Sequence, residues 1–192
     1  AYVIELGMCF LSLQGPKSRE VLQKALNIID LSYFHLKFDK LDDIPVIIAR
    51  AGFSGELGYE IYTQPEYACE LWDKIIELGK ENNVRPYGLL VNIPIGVEIG
   101  YLSPWDFYAG GSLLEYGLDW TIGWNKEDFI GKESLLNRKM GKLKTKLVGF
   151  ESSDPEVVAT QGDKLMDDSG RVVGQVTSVA FGFGIKKSKG RG

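Results

Sequence analysis

Apolar and polar positions change period several times along this chain, and each change marks an element. The run Pro45-Val-Ile-Ile-Ala-Arg50 is almost continuously apolar, the mark of a mostly buried strand. From Leu57 to Thr63 the pattern alternates, with Leu57, Tyr59 and Ile61 on one face and Gly58, Glu60 and Tyr62 on the other. Gly52, Gly55 and Gly58 punctuate the segment between, so the two strands read as a hairpin whose backbone can turn sharply and can admit a flat neighbour. Ser32 to Asp39 also alternates, which predicts a half-buried strand with Phe34, Leu36 and Phe38 inward and Tyr33, His35 and Lys37 outward. The apolar opening from Ala1 to Phe10, extended to Leu13, predicts a long strand or strand pair.

Helical spacing appears in three places. Gln14-Gly15-Pro16 opens a first helix, with Pro16 suited to its first turn and Val21, Leu22, Ala25 and Leu26 as its apolar stripe. After Pro65, Ala68, Leu71, Trp72, Ile75 and Ile76 recur at helical intervals, and the helix ends between Gly79 and Asn83. A third helix enters at Asp128-Phe129-Ile130-Gly131-Lys132 and runs to about Met140. Between them, Arg85-Pro86-Tyr87-Gly88 breaks the pattern, an apolar run reaches Ile99, and Gly100 to Tyr108 is an aromatic-rich loop of the kind that wraps a domain or lines a cleft.

At Lys142-Leu-Lys-Thr-Lys146 the composition shifts, and beyond it lie short strands at 147–151, 164–166, 171–173 and 175–179, with Asp167-Asp-Ser-Gly170 as a turn. A small barrel is the natural way to bury them. The chain thus reads as α+β with two domains, 1–141 and 142–192. The basic tail Lys186–Arg191 reads as a solvated end or a terminal strand.

Composition narrows the functional classes. At 192 residues and 44% hydrophobic the chain can bury a substantial core, and a formal net charge of −4 argues against a nucleic-acid-coating surface. The apolar opening is too short to span a bilayer and carries Glu5, which argues against a membrane role. Cys9 and Cys69 have no paired spacing, so neither a disulfide framework nor a zinc site is expected, and a reducing compartment fits best: cytoplasm, or the mitochondrial matrix in a eukaryote. His35 is the only histidine and sits on a polar face, leaving little for a Ser-His-Asp machine or a histidine-bound metal. Starting inside a strand-like run without Met, the chain is expected to lack upstream residues.

Several separated motifs nevertheless match one family in order: Leu13-Gln14-Gly15-Pro16, Gly52-Phe53-Ser54-Gly55-Glu56-Leu57-Gly58-Tyr59-Glu60, Glu98-Ile99-Gly100, Leu114-Glu115-Tyr116-Gly117-Leu118, Asp128 to Lys132, and Gly174-Gln175-Val176-Thr177-Ser178. Across nearly its whole length the chain resembles the glycine-cleavage T-protein, or aminomethyltransferase, family and its relatives the folate-dependent demethylases. The resemblance implies a folate-binding, sandwich-like α/β domain of the T-protein type, incomplete at its N-terminus. A truncated β-barrel, incomplete at its C-terminus, would follow it. It implies one-carbon transfer to tetrahydrofolate, from an aminomethyl group on a lipoyl-carrier protein in the T-protein or from a methylated sulfur, oxygen or nitrogen in relatives.

On the same resemblance Glu60 holds the pterin ring, Phe53 takes the place of a cavity tyrosine, and Tyr101, with Trp105 and Tyr108, lines the cavity. Chemistry agrees for Glu60, because a carboxylate accepts two parallel N–H bonds from an aminopyrimidine edge. Asn92 and Gly96 stand where the family carries arginines, and Lys189 and Arg191 where it has an apolar strand. The family's catalytic aspartate belongs to the N-terminal half, so no catalytic residue is assigned here. The alternative is a non-catalytic folate-binding module like the iron–sulfur assembly factors of the same fold. Their characteristic cysteine motif has no counterpart, since no cysteine lies beyond Cys69.

Overall fold

The computed structural model describes residues 2–108 and 111–192, so Ala1, at the head of the expected first strand, lies outside the described residues. Two compact units make up the chain, Ala1–Asn92 and Ile93–Gly192. The composition shift at residue 142 falls inside the second. Helices and antiparallel sheets are mixed in both.

The first unit is built on four antiparallel strands: β1 (Cys9–Gln14), β2 (Leu36–Leu41), β3 (Ile44–Ala49) and β4 (Gly58–Thr63). Their spatial order is β1-β4-β3-β2, which puts the glycine-flanked β4 in the interior and β1 and β2 at the edges. Tyr59 and Ile61 of β4 are fully buried, on the face shared with Leu13, Ile48 and Val46. Helices α1 (Ser18–Gln23) and α2 (Ala68–Leu78) cover that face, contributing Val21, Leu22, Leu71 and Ile75 to one core. Each such aliphatic side chain contributes roughly 1.5–3 kcal/mol by leaving water. Pro65 begins the one-turn 3₁₀ segment that leads into α2, as its fixed φ and missing N–H favour.

Strand β2 corrects the sequence reading. Its pairing places Lys37 opposite Ile48, Asp39 opposite Val46 and Leu41 opposite Ile44, so the core face of β2 is the one bearing Lys37 and Asp39. Leu36 and Phe38 project from the other face, where Phe38 is 77% exposed. Phe34 precedes the strand in a left-handed conformation, φ 59°. Alternation fixes the period of a strand but not which face meets the core, and the hairpin register decides it here. At the edge, the Lys37 ammonium is satisfied by pairing with Asp39 at 2.7 Å and by donating to the Asn27 carbonyl at 2.6 Å. Phe38→Ser should therefore change the stability of this chain by less than about 0.5 kcal/mol in urea denaturation, as for an ordinary surface site. A core position would cost several times more.

The opening residues differ too. Only Cys9–Gln14 of the expected long strand is paired, while Tyr2 and Val3 are almost wholly exposed. His35 is exposed, and both cysteines are free thiols.

In the second unit, α3 (Asn92–Ile99) starts on the apolar run and α4 (Lys132–Met140) follows Gly131, which takes the left-handed conformation at φ 90°. Strands β5 (Gly149–Glu151), β8 (Ser178–Gly182) and β9 (Lys187–Arg191) form a sheet in the order β5-β9-β8, and β6 (Lys164–Met166) pairs with β7 (Val172–Gln175) as a hairpin. The basic tail is thus the middle strand of a sheet. It buries Ser188 and Gly190, whereas Lys189 pairs with Glu151 at 3.2 Å. A Cβ on Gly190 would lie 2.5 Å from the Ser178 carbonyl oxygen, so only glycine lets the strands close.

Candidate functional site

The face of the first sheet that the helices leave uncovered carries the residues of interest. Strand register sets them in rows. One row runs Phe10, Tyr62, Ile47, Phe38, and the next runs Ser12, Glu60, Ala49, Leu36. Gln14 faces Gly58 in a third. Glu60 therefore has only small cross-strand neighbours, Ser12 and Ala49, and the bare Gly58 two positions before it in its own strand. Across the sheet its carboxylate meets only these small side chains, while along the strand it is flanked by Tyr62 on one side and, over Gly58, by the Gln14 amide on the other.

Glu60 is half-buried and accepts a hydrogen bond from the Tyr62 hydroxyl at 2.5 Å. Tyr62 in turn stacks on Phe10 with ring centroids 5.4 Å apart. Donation to Glu60, helped by burial and by the neighbouring negative charge, pushes the Tyr62 phenol up to about 12. The folded state then holds its proton more tightly than the unfolded chain, whose tyrosines titrate near 10. The stabilisation is fully present below that value and is lost as pH rises toward 12. A phenolate absorbance titration of the chain minus that of Tyr62→Phe should show this late step, and Glu60→Gln should bring it back toward 10. An unchanged midpoint in Glu60→Gln would mean that the pair does not form.

A cavity of about 750 Å³ opens beside this face, lined by Phe10, Ser12, Gln14, Phe53 and Glu60 and, farther along, by Trp72, Ile76, Val84 and Leu89. It combines the Glu60 carboxylate and the polar side chains of Asn83 and Arg85 with apolar surface from Phe10, Trp72 and Ile76, the usual make-up of a small-molecule site. Since one carboxylate offers about four lone-pair positions, Tyr62 leaves Glu60 able to accept further N–H donors. Phe53, at the tip of the β3–β4 connection, is 65% exposed and presents an aromatic surface to the same cavity.

Of the three site residues expected from sequence, Glu60 and Phe53 are brought to one cavity, together with Asn92. Tyr101 belongs to the second unit, where it is half-buried after α3 and donates its N–H to the Gly96 carbonyl at 2.8 Å. Trp105 and Tyr108 lie in that unit as well, both about half exposed. Gln14 enters the sequence reading only through the Leu13-Gln14-Gly15-Pro16 motif and Tyr62 only as a strand residue, neither with a role at the site. Their roles depend on contacts across strands, although the position of Tyr62 on the Glu60 face was visible in the alternation. Among the described residues no group of three His, Cys, Asp or Glu side chains could hold a metal ion, and no helix is long and apolar enough to cross a membrane.

Residues 3–126 match the family model described as the GCVT N-terminal domain. The chain is 38% identical to an aminomethyltransferase of Thermoanaerobacter pseudethanolicus over 185 residues, 94% of this chain and 50% of that protein. It is 35% identical to an aminomethyltransferase of Halothermothrix orenii, over 95% of this chain and 51% of the relative. The crystal structure of glycine cleavage system aminomethyltransferase T from Bartonella henselae superposes with a TM-score of 0.86 at 25% identity, covering 97% of this chain and 51% of that one. The chain spans about half the length of the relatives it matches.

Proposed function

Because the chain belongs to the family defined by the GCVT N-terminal domain, we propose that it supplies the tetrahydrofolate-holding part of an aminomethyltransferase of the glycine cleavage system. The observation that carries this reading is Glu60: a carboxylate with small cross-strand neighbours, lining a cavity that also presents an aromatic ring. That setting fits a reduced pterin, whose aminopyrimidine edge offers adjacent N–H donors and whose ring is flat.

In this reading Glu60 accepts the donors and fixes the ring's orientation, with Tyr62 steadying the carboxylate through its hydroxyl. Phe53 covers a face of the bound ring and keeps water from it. Asn92 is a polar contact where the family carries arginine and anchors by hydrogen bonding, while Lys17 and Arg85 bring positive charge to the same cavity. Tyr101 is proposed as a further folate contact on the family resemblance alone. Bound there, tetrahydrofolate supplies the nitrogen that takes up the one-carbon unit. This chain's contribution is placement, which converts an encounter into a near-unimolecular step. The acid–base group is contributed from outside the chain, and the donor is an aminomethyl group on a lipoyl-carrier protein. We further propose that residues 1–141 act as the folate-binding domain, sandwich-like in form, and that residues 142–192 belong to a small β-barrel.

The test is an activity comparison with the full-length protein carrying this chain. Tetrahydrofolate-dependent release of the one-carbon unit from an aminomethylated lipoyl carrier is expected. Transfer only from methylated amines or thiols would assign a demethylase, and folate binding without any transfer would leave a binding module.

A further inference from the structure

The loop that carries Phe53 is tied down by a residue the functional reading does not use. Gln14, the last residue of β1, points across the sheet into a slot left open by two glycines. A Cβ on Gly58 would lie 2.0 Å from the Gln14 amide oxygen, and a Cβ on Gly52 would lie 2.2 Å from it. Neither glycine has a positive φ, so the backbone itself would accept alanine at both positions. An alanine at either position would have to push the Gln14 amide out of the slot.

Gln14 spends its hydrogen-bonding capacity on this loop. Its amide nitrogen donates to the Ala51 carbonyl at 3.3 Å and to Ser12 Oγ at 3.0 Å. Its oxygen accepts from the Ser54 hydroxyl at 2.7 Å, and Ser54, itself buried, receives the Glu56 N–H at 3.2 Å. The loop is therefore gripped on both sides of Phe53, at residues 51 and 54. Next to it, Gly15 N–H and the Ser18 hydroxyl both donate to the Leu57 carbonyl, at 2.8 and 3.1 Å, closing the loop onto the start of α1.

We propose that Gln14 is a positioning residue for the cavity: its amide, keyed between Gly52 and Gly58, holds the 51–57 loop so that Phe53 stands over the ring that Glu60 orients. The placement of Phe53 over a bound ring rests on the folate reading; the lock itself does not. Only an amide of this length satisfies the Ala51 carbonyl and the Ser54 hydroxyl together, since glutamate offers no donor and asparagine is a methylene shorter.

Two measurements on the full chain and its full-length protein test this separately. In hydrogen exchange on the 192-residue chain, Gln14→Leu should speed exchange of the 51–57 amides by roughly tenfold or more while β3 and β4 keep their protection. Gly58→Ala should lower Tm, and Gln14→Ala combined with Gly58→Ala should restore it, because the clash is gone, yet leave the loop amides fast. Unchanged loop exchange in Gln14→Leu, or no rescue of Tm by the double substitution, overturns the lock. The second measurement is a double-mutant cycle on tetrahydrofolate affinity. Gln14→Leu should weaken binding roughly tenfold with Phe53 present and hardly at all in Phe53→Ala, the coupling expected if one acts through the other. Additive losses overturn the positioning role, since general destabilisation adds. If the unsubstituted protein binds no tetrahydrofolate, the functional reading falls while the exchange result still decides the lock.

Discussion

Replacing Glu60 with alanine should weaken tetrahydrofolate binding to the full-length protein by about 2–3 kcal/mol, roughly 30- to 150-fold. The size follows from what is removed: hydrogen bonds accepted by a charged group in a half-buried site, plus pterin donors left facing a side chain that cannot take them. Glu60→Gln should lose less, since the amide oxygen still accepts one bond while its nitrogen opposes the other. Folding should change little in either variant, because the Tyr62 hydroxyl that loses its partner is itself only half-buried and can turn to water. Calorimetry of binding beside urea denaturation separates the two effects. A large stability loss with unchanged affinity would assign Glu60 to the scaffold.

The second large effect lies in the other unit. Asp106 is fully buried and its carboxylate is saturated: the Ser103 N–H and hydroxyl donate to one oxygen at 2.7 and 3.0 Å, and the hydroxyls of Thr177 and Ser178 donate to the other at 2.5 and 2.7 Å. These bonds join the 103–106 turn to the start of β8, some seventy residues later. Asp106→Ala should cost about 3 kcal/mol or more, because it leaves several donors without a partner at a site water does not reach. Asp106→Asn should cost about 1–2 kcal/mol. Its oxygen can keep the fixed Ser103 N–H, and its NH2 can donate to the Thr177 and Ser178 hydroxyls once these rotate. Urea midpoints that rank the two variants equally would mean that the network matters less than the volume of the side chain.

How far the sequence announces this molecule depends on whether a feature is local. The β3–β4 hairpin is legible, because apolar continuity, alternation and three glycines act within twenty residues, and Tyr59 and Ile61 lie inward as the alternation requires. Helix α2 is legible for the same reason, with Leu71 and Ile75 buried at the expected spacing. Glu60 and Phe53 could be picked out because the motif containing them is contiguous. The face of β2 could not, since alternation is symmetric and only the pairing with β3 shows that Lys37 and Asp39 lie on the core side. Gln14 was hidden more deeply. As the end of a strand beside Gly15 and Pro16 it reads as a helix-opening turn, and its purpose depends on glycines thirty-eight and forty-four residues away. The lysine-rich tail leaves two readings open, a solvated end or a terminal strand, and the strand is the one found: it needs apolar or small residues on one face only, and Ser188 and Gly190 provide them.

The central claim is that the Glu60 carboxylate grips the edge of a reduced pterin. A crystal structure of the full-length protein with tetrahydrofolate tests it most directly. The expected result is the aminopyrimidine edge within hydrogen-bond distance of the Glu60 oxygens and the Phe53 ring against the pterin. A pterin bound elsewhere, with Glu60 touching only Tyr62, would contradict it.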